Sequence, residues 1–356
     1  MNRIIRIVLV ASVAGLCGIA LGAVMAPRVT LASYLAAIAA VASLPLGALV
    51  VLMTTYLVPG RWVELLHVPL TGAALSVPVA GLLFVPLLIG APWLYSWAYE
   101  RETLGAFKAI YLTSGFFAIR TVIYFVIWTA LALWAQRAWG DLPRMKRMAS
   151  IGLIVWSLTV SFAGIDWLES LDPHFHSSIY GLLYLGFVML TGVAFAVLFA
   201  ALIVARRVER AGYGGFLLSL LLLWAYLHAM QYIVIWAGDI PEEVVWYQRR
   251  GEGGWGIVTI ALFMLQFVVP FFALLSERVR GGRNTLVFFC ALTLLMRVVE
   301  AEWLALPDAH VASAWLIVSI PATLLVAGAA WFVAFNVLLL REQQAVAPSG
   351  AAAIGS

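Results

Sequence analysis

Residues 149–204, ASIGLIVWSLTVSFAGIDWLESLDPHFHSSIYGLLYLGFVMLTGVAFAVLFAALIV, hold two long apolar runs with Asp166, Glu169, Asp172, His174 and His176 packed between them. Each run is close to or above the roughly 20 residues that carry a helix across the hydrocarbon core of a bilayer. The intervening charges therefore sit at a membrane boundary, where such density marks function or docking. If the first helix continues through Asp166 and Glu169, their spacing places both carboxylates on one face. Asp172-Pro173 then ends it, because the residue before a proline is pushed out of the α region.

The rest of the chain repeats this pattern. Of 356 residues, 64% are hydrophobic and 11% charged, and the mean hydropathy is +1.03; this excludes a water-soluble domain. The expectation is an all-α polytopic membrane protein of about ten transmembrane helices, near 4–25, 31–57, 71–94, 115–136, 149–168, 178–204, 214–237, 255–275, 285–305 and 312–340. Pro78, Pro86 and Pro92 interrupt the third, which membrane helices tolerate when neighbours satisfy the freed carbonyls. Net charge is +4 without a basic stripe interleaved with aromatics, so no nucleic-acid partner is expected. Cys17 and Cys290 both lie inside apolar runs and suggest neither a disulfide framework nor a metal cluster.

Numbering the loops alternately puts 14 Lys and Arg residues on one side and 5 on the other, which the positive-inside rule reads as cytoplasmic and external. Both termini are then cytoplasmic. The acidic residues Asp166, Glu169, Asp172, Asp239, Glu242, Glu243, Glu252, Glu300, Glu302 and Asp308 fall at or near the outer side. The first apolar run, with Arg3 and Arg6 before it, reads as a retained helix, its length exceeding a signal-peptide core; cleavage after a signal peptide is the alternative. No fixed-period repeat is visible, so residues 1–343 read as one transmembrane domain and 344–356 as a flexible tail. Residues Glu100–Thr113, with Lys108 and Tyr111, read either as an interfacial helix or as a connecting loop.

Ionisable groups inside a span are expensive and mark a buried pair or a functional path. Arg120 shares a face with Tyr124 and either pairs with a carboxylate of the Asp166–Asp172 group or snorkels to the headgroups. Arg297 and Glu300, at i and i+3, form either a local ion pair or part of a polar track. His228, with Gln231 and Tyr232 following on its face, is a packing residue or a proton-passing group. As the one mid-span histidine it lacks the second ligand a b-type haem needs, since His67, His174, His176 and His310 fall near span ends or in loops. Asp172, His174 and His176 offer no recognised metal spacing. In Trp236–Gly256, Asp239 and Glu242 have capping-box spacing and Pro241 suits a first helical turn. The remaining Glu243, Trp246, Tyr247, Arg249, Arg250, Glu252 and Trp255 read as a docking surface for an external partner. No residue is assigned a catalytic role.

Three segments, YLTSGFFAIRTVIYFVIW (111–128), AGIDWLESLDPHFHSSIYG (163–181) and YLHAMQYIVIWAGDIPEEVVWYQRRGEGGWG (226–256), resemble the NrfD/polysulfide-reductase-like membrane subunits of alternative complex III, of the ActF type. The resemblance covers roughly residues 58–308. It implies two four-helix bundles, about 31–168 and about 178–305, plus peripheral helices. It also implies a place in a bacterial inner-membrane complex that oxidises menaquinol or ubiquinol. The implied partners are a second NrfD-like membrane subunit, iron–sulfur subunits and c-type cytochrome subunits. The cofactors, haem c and iron–sulfur clusters, belong to those partners, and this chain binds none. Asp166, Glu169, Asp172, His174, Gln231, Asp239, Glu242 and Glu243 match the motif positions. His228 departs from the small or apolar residue expected there and Asp239 from the common Asn.

The leading expectation is thus a membrane subunit that scaffolds the redox subunits and conducts protons through His228, Gln231, Tyr232, Arg297 and Glu300. Its alternatives are a proton- or ion-coupled transporter and a purely structural anchor.

Overall fold

The computed structural model describes residues 2–58, 60–99, 106–308 and 314–351. Among these residues the chain is helical and contains no strand. The first long helices are α1 (Asn2–Met25), α2 (Pro27–Leu57), α3 (Trp62–Ala74) and α4 (Val77–Leu94). A short α5 (Ala106–Tyr111) precedes α6 (Ser114–Ala138), α7 (Leu142–Trp167), α8 (Tyr180–Ile203) and α9 (Arg207–Gly238). Then come α10 (Pro241–Gly251), α11 (Gly253–Leu262), a π-turn at Phe263–Val268, α12 (Val269–Leu275), α13 (Glu277–Arg280), α14 (Arg283–Ala305) and α15 (Leu316–Ala351). Nine helical segments among the described residues are long and apolar enough to cross a membrane; α1 adds a shorter apolar stretch, Ser12–Met25. The chain is a multi-pass membrane protein.

Helix α2 is the pillar. Pro27 starts it, where the missing N–H has no partner to lose, and its apolar stretch is 94% buried. It packs on α3, α4 and α7 in one direction and on α8 and α14 in the other. Its small side chains allow this: a Cβ on Gly192 of α8 would lie 2.2 Å from the Gly47 carbonyl oxygen, so the two backbones touch directly. Helices in membranes associate through such small-residue contacts because lipid supplies no hydrophobic drive between them. Helices α2, α3–α4, α6 and α7 form one packed group, and α8, α9, α11–α12 and α14 a second. The α2–α8 contact joins the groups, while α1 and α15 pair with each other along α2.

Several local expectations change. The third span starts at Trp62 rather than 71 and is broken between α3 and α4, where the Ser76 hydroxyl donates to the Ala73 carbonyl (2.6 Å) and Pro78 enters the next turn. Glu64 and His67 dilute the hydropathy of the first turns of α3, which hid them from a hydropathy reading. His67 is consequently buried inside α3, stacked on Trp139 at 3.5 Å. Helix α7 ends at Trp167 and a 3₁₀ turn spans Glu169–Leu171, so Asp166 and Glu169 do not share a helical face. Asp239 is not the cap of α10: it ends α9 in the left-handed region (φ 47°), and Ile240 precedes Pro241 at the start of α10. Helix α15 continues to Ala351, past the expected limit at 343. Of the Glu100–Thr113 segment, α5 is helical and residues 100–105 lie outside the described residues, as does His310.

Candidate functional site

One end of the molecule gathers the carboxylates. The opposite end is basic, with Arg61 on Glu209 (2.9 Å) and Arg210 donating to the carbonyls of Val204, Ala205 and Gly281. Those carbonyls lie where helices end, and cationic side chains are favourable there.

At the carboxylate end, Asp166 is fully buried on the last turn of α7. Arg120 of α6 meets it with two bonds, Nε to Oδ2 at 2.9 Å and Nη2 to Oδ1 at 3.0 Å. The Tyr124 hydroxyl, one turn along α6, donates to Oδ2 at 2.7 Å. Arg120 also donates to the Tyr111 carbonyl at 2.9 Å and lies 3.8 Å above the Tyr111 ring, so it does not snorkel. This arrangement neutralises a charge, locks α5, α6 and α7 together and engages both oxygens of Asp166.

The following loop is held by its other carboxylates. Glu169 accepts the Ser177 N–H at 2.9 Å, and Asp172 accepts the His174 N–H at 3.0 Å. Lys108 of α5 donates to the Pro173 carbonyl, and burial lowers its pKa against the opposing pull of Glu169 and Asp172. Asp172 also takes Arg249 Nη1 at 2.7 Å. Burial pushes its carboxyl up, but the Arg249 and His174 bonds outweigh this and hold it below the ordinary aspartate range. His174 and His176 are exposed. No cluster of three or more His, Cys, Asp or Glu side chains able to hold a metal occurs among the described residues.

Helix α10 corrects the docking-surface expectation. Trp246 and Arg250 are buried at 1% exposure and are internal anchors. Arg250 binds Asp308 through Nη1 (2.9 Å) and Nη2 (2.7 Å), donates to the Trp303 and Leu304 carbonyls, and lies 3.4 Å over the Trp246 ring. Trp246 Nε1 adds a third bond to Asp308 at 3.0 Å. Asp239 and Glu242 stay exposed, and Glu243 is half-buried.

Roofed by α10, the second helical group encloses an apolar cavity of ≈ 360 Å³. Trp224, His228 and Tyr232 of α9, Tyr247 of α10, Phe263 after α11 and Trp303 of α14 wall it. Tyr232 and Phe263 are half-exposed at its mouth. Glu300 does not itself line the cavity: it is completely buried, in contact with the lining residues Trp224 and His228. Trp224 Nε1 donates to both Glu300 oxygens at 3.0 Å, Arg297 pairs with Oε2, and His228 Nε2 lies 3.3 Å from Oε1. His228 Nδ1 sits 3.1 Å from the Trp224 carbonyl oxygen. A carbonyl only accepts, so Nδ1 carries the hydrogen, and in a neutral ring Nε2 is then an acceptor facing another acceptor. A single added proton between His228 and Glu300 resolves that confrontation. Of the two residues, His228 lines the cavity, and its Nε2 is the atom that reaches Glu300.

The geometry unites His228, Arg297 and Glu300 and puts Tyr232 at the cavity mouth, while Gln231 turns into the protein at 1% exposure. Trp224, Trp303 and the Arg250–Asp308 pair escaped sequence reasoning. Trp224 and Trp303 had spacing signals, one turn before His228 on α9 and three residues after Glu300 on α14. Comparison with protein-family models and with curated proteins finds no match.

Proposed function

We propose that this chain is a membrane subunit of a quinol-oxidising respiratory complex of the alternative complex III kind, and that the α9–α11 cavity takes the quinol headgroup. The observation that carries the reading is that His228 lines an aromatic cavity and sets its Nε2 3.3 Å from Oε1 of the buried Glu300. A quinol releases two protons and two electrons on oxidation. The pair accepts one hydroxyl proton, general-base assistance of the kind worth typically 10² to 10⁴ in rate, and the second proton leaves to water through the cavity mouth beside Tyr232. Arg297 stabilises the carboxylate beforehand and continues the polar track inward. The electrons pass to iron–sulfur and c-type cytochrome subunits docked on the carboxylate end, beside a second NrfD-like subunit. That end faces the periplasm of a bacterial inner membrane, with both termini cytoplasmic, following the distribution of Lys and Arg. The Asp166 and Asp308 clamps keep the loops of that face in place.

The test is purification of the assembled complex from native membranes in mild detergent. Glu300→Gln and Ala229→Trp, the latter filling the cavity without touching a charge, should each lower quinol turnover about 100-fold at unchanged haem c content. Wild-type turnover in both variants would reduce the chain to a scaffold. Isolation of a haem-free homo-oligomer would instead favour the transporter.

A further inference from the structure

A second cavity, of ≈ 230 Å³ and polar, lies at the carboxylate end, away from the quinol reading. Arg28, Ser96, Tyr99, Asp172, His174 and Arg249 line it. Two cationic side chains face one carboxylate, and that carboxylate is already engaged by Arg249 at 2.7 Å. Among the described residues Arg28 makes no ion pair, and its Nε is shielded from solvent with no acceptor. A guanidinium so placed gains strongly from an anion that brings oxygen acceptors.

Next to this cavity an apolar groove of ≈ 640 Å³ runs between α1, α2, α4 and α15, lined among others by Leu16, Ala23, Leu31, Trp93 and Val326. The two spaces are continuous along the chain. Pro27 lines the groove and Arg28 the cavity; Trp93 lines the groove and Ser96 and Tyr99 the cavity. At 1.5 Å per residue, Leu31 lies about one helical turn below Arg28. Ile89 and Trp93 stand on the groove at 68% and 60% exposure, turned toward where lipid lies. Tryptophan at that level is the usual marker of the headgroup boundary.

A polar pocket whose described lining carries one positive charge in excess, set beside an apolar trough, complements the form of a phospholipid. We propose that this site binds one anionic phospholipid, its phosphodiester on Arg28 with Ser96, Tyr99 and His174 around it, and its acyl chains in the α1–α2–α4–α15 groove. Free phosphate shares the headgroup chemistry but has no use for the groove. That difference separates the two sources.

The experiment uses the full-length protein, stripped of lipid in neutral detergent and titrated with phosphatidylglycerol, phosphatidylcholine or inorganic phosphate under native mass spectrometry. The wild type should retain one phosphatidylglycerol in preference to phosphatidylcholine. Arg28→Gln should weaken that binding at least about fivefold, Arg28→Lys should largely preserve it, and Ala23→Trp, which fills the groove, should weaken it as Arg28→Gln does. All variants must elute as the wild type does on size exclusion. Equal phosphatidylglycerol binding by wild type and Arg28→Gln overturns the proposal. So does phosphate binding as tightly as the lipid with Ala23→Trp indifferent, which would leave a phosphate site alone.

Discussion

Replacing Asp166 by Asn tests the most buried charge pair in the first helical group. The substitution keeps the size of the side chain and an acceptor for Tyr124, but it removes the charge opposite Arg120 and turns one of two acceptors into a donor. The side chains of Arg120 and Asp166 are only 9% and 0% exposed, so water cannot replace what is lost. Arg120 keeps its Nε on the oxygen shared with Tyr124, its bond to the Tyr111 carbonyl and its place over the Tyr111 ring, but its Nη2 then meets an amide donor. Leaving one partner of a buried pair uncompensated typically costs about 3–5 kcal/mol. At 1.4 kcal/mol per factor of ten, the folded-to-unfolded ratio should fall by more than roughly a hundredfold. The double variant Arg120→Met/Asp166→Leu removes both charges, and its deficit should be about 1 kcal/mol, chiefly the orphaned Tyr124 hydroxyl. Reversible denaturant unfolding in micelles, followed by tryptophan fluorescence, measures all of these. An Asp166→Asn effect within about 0.5 kcal/mol, the range of an exposed pair, would refute the argument. So would a double variant as unstable as the sum of its singles.

Further outcomes follow from other contacts. Gly192→Ala should destabilise by about 1–3 kcal/mol or more in the same unfolding assay, because the new Cβ meets the Gly47 backbone rather than a side chain that can rotate away. Asp308→Asn should release α10 from α14, read as faster amide exchange across Pro241–Gly251 while α8 stays protected, since Arg250 and Trp246 both anchor there. The Asp172 carboxyl is held below its ordinary value of 3.8, so the stability it contributes is complete above that value and is lost as pH falls through the depressed folded value. Amide protection factors in the 172–177 loop, taken against the intrinsic exchange rate at each pH, should therefore stay flat from neutral pH down to about pH 4 and fall only below it. In Arg249→Gln that fall should begin at higher pH, because the principal bond lowering the carboxyl is gone.

Much of the architecture was legible from composition and run length. Uncharged runs longer than a bilayer is thick leave few alternatives to spanning helices, and eight of the expected spans lie within or nearly within observed helices. The failures cluster where polar residues dilute a helix or a turn ends it early. The first turns of α3 were lost to Glu64 and His67, and α7 stopped at Trp167 because loop donors found Glu169 and Asp172 instead of continuing the helix. Arg249 and Arg250 looked like a surface because adjacent cations after an acidic pair read as solvated, yet a helix turns adjacent residues toward different neighbours. Arg250 points inward to Asp308 and Arg249 sideways to Asp172.

By itself the sequence determined that the chain is helical, spans a membrane many times, and segregates acidic from basic residues between its ends. It also determined a buried charge pair within a single helix, Arg297 with Glu300, because i and i+3 are neighbours wherever the helix goes. The tertiary structure decided everything that depends on two helices meeting: Arg120 on Asp166, Arg250 on Asp308, and Trp224 and His228 on Glu300. The physical reason is the solvent. Lipid and protein interior are both apolar, so a helix in a bilayer carries little periodicity to distinguish the face that meets lipid from the face that meets its neighbour. Only packing assigns the partners, and with them the cavity whose lining residue His228 faces the buried Glu300.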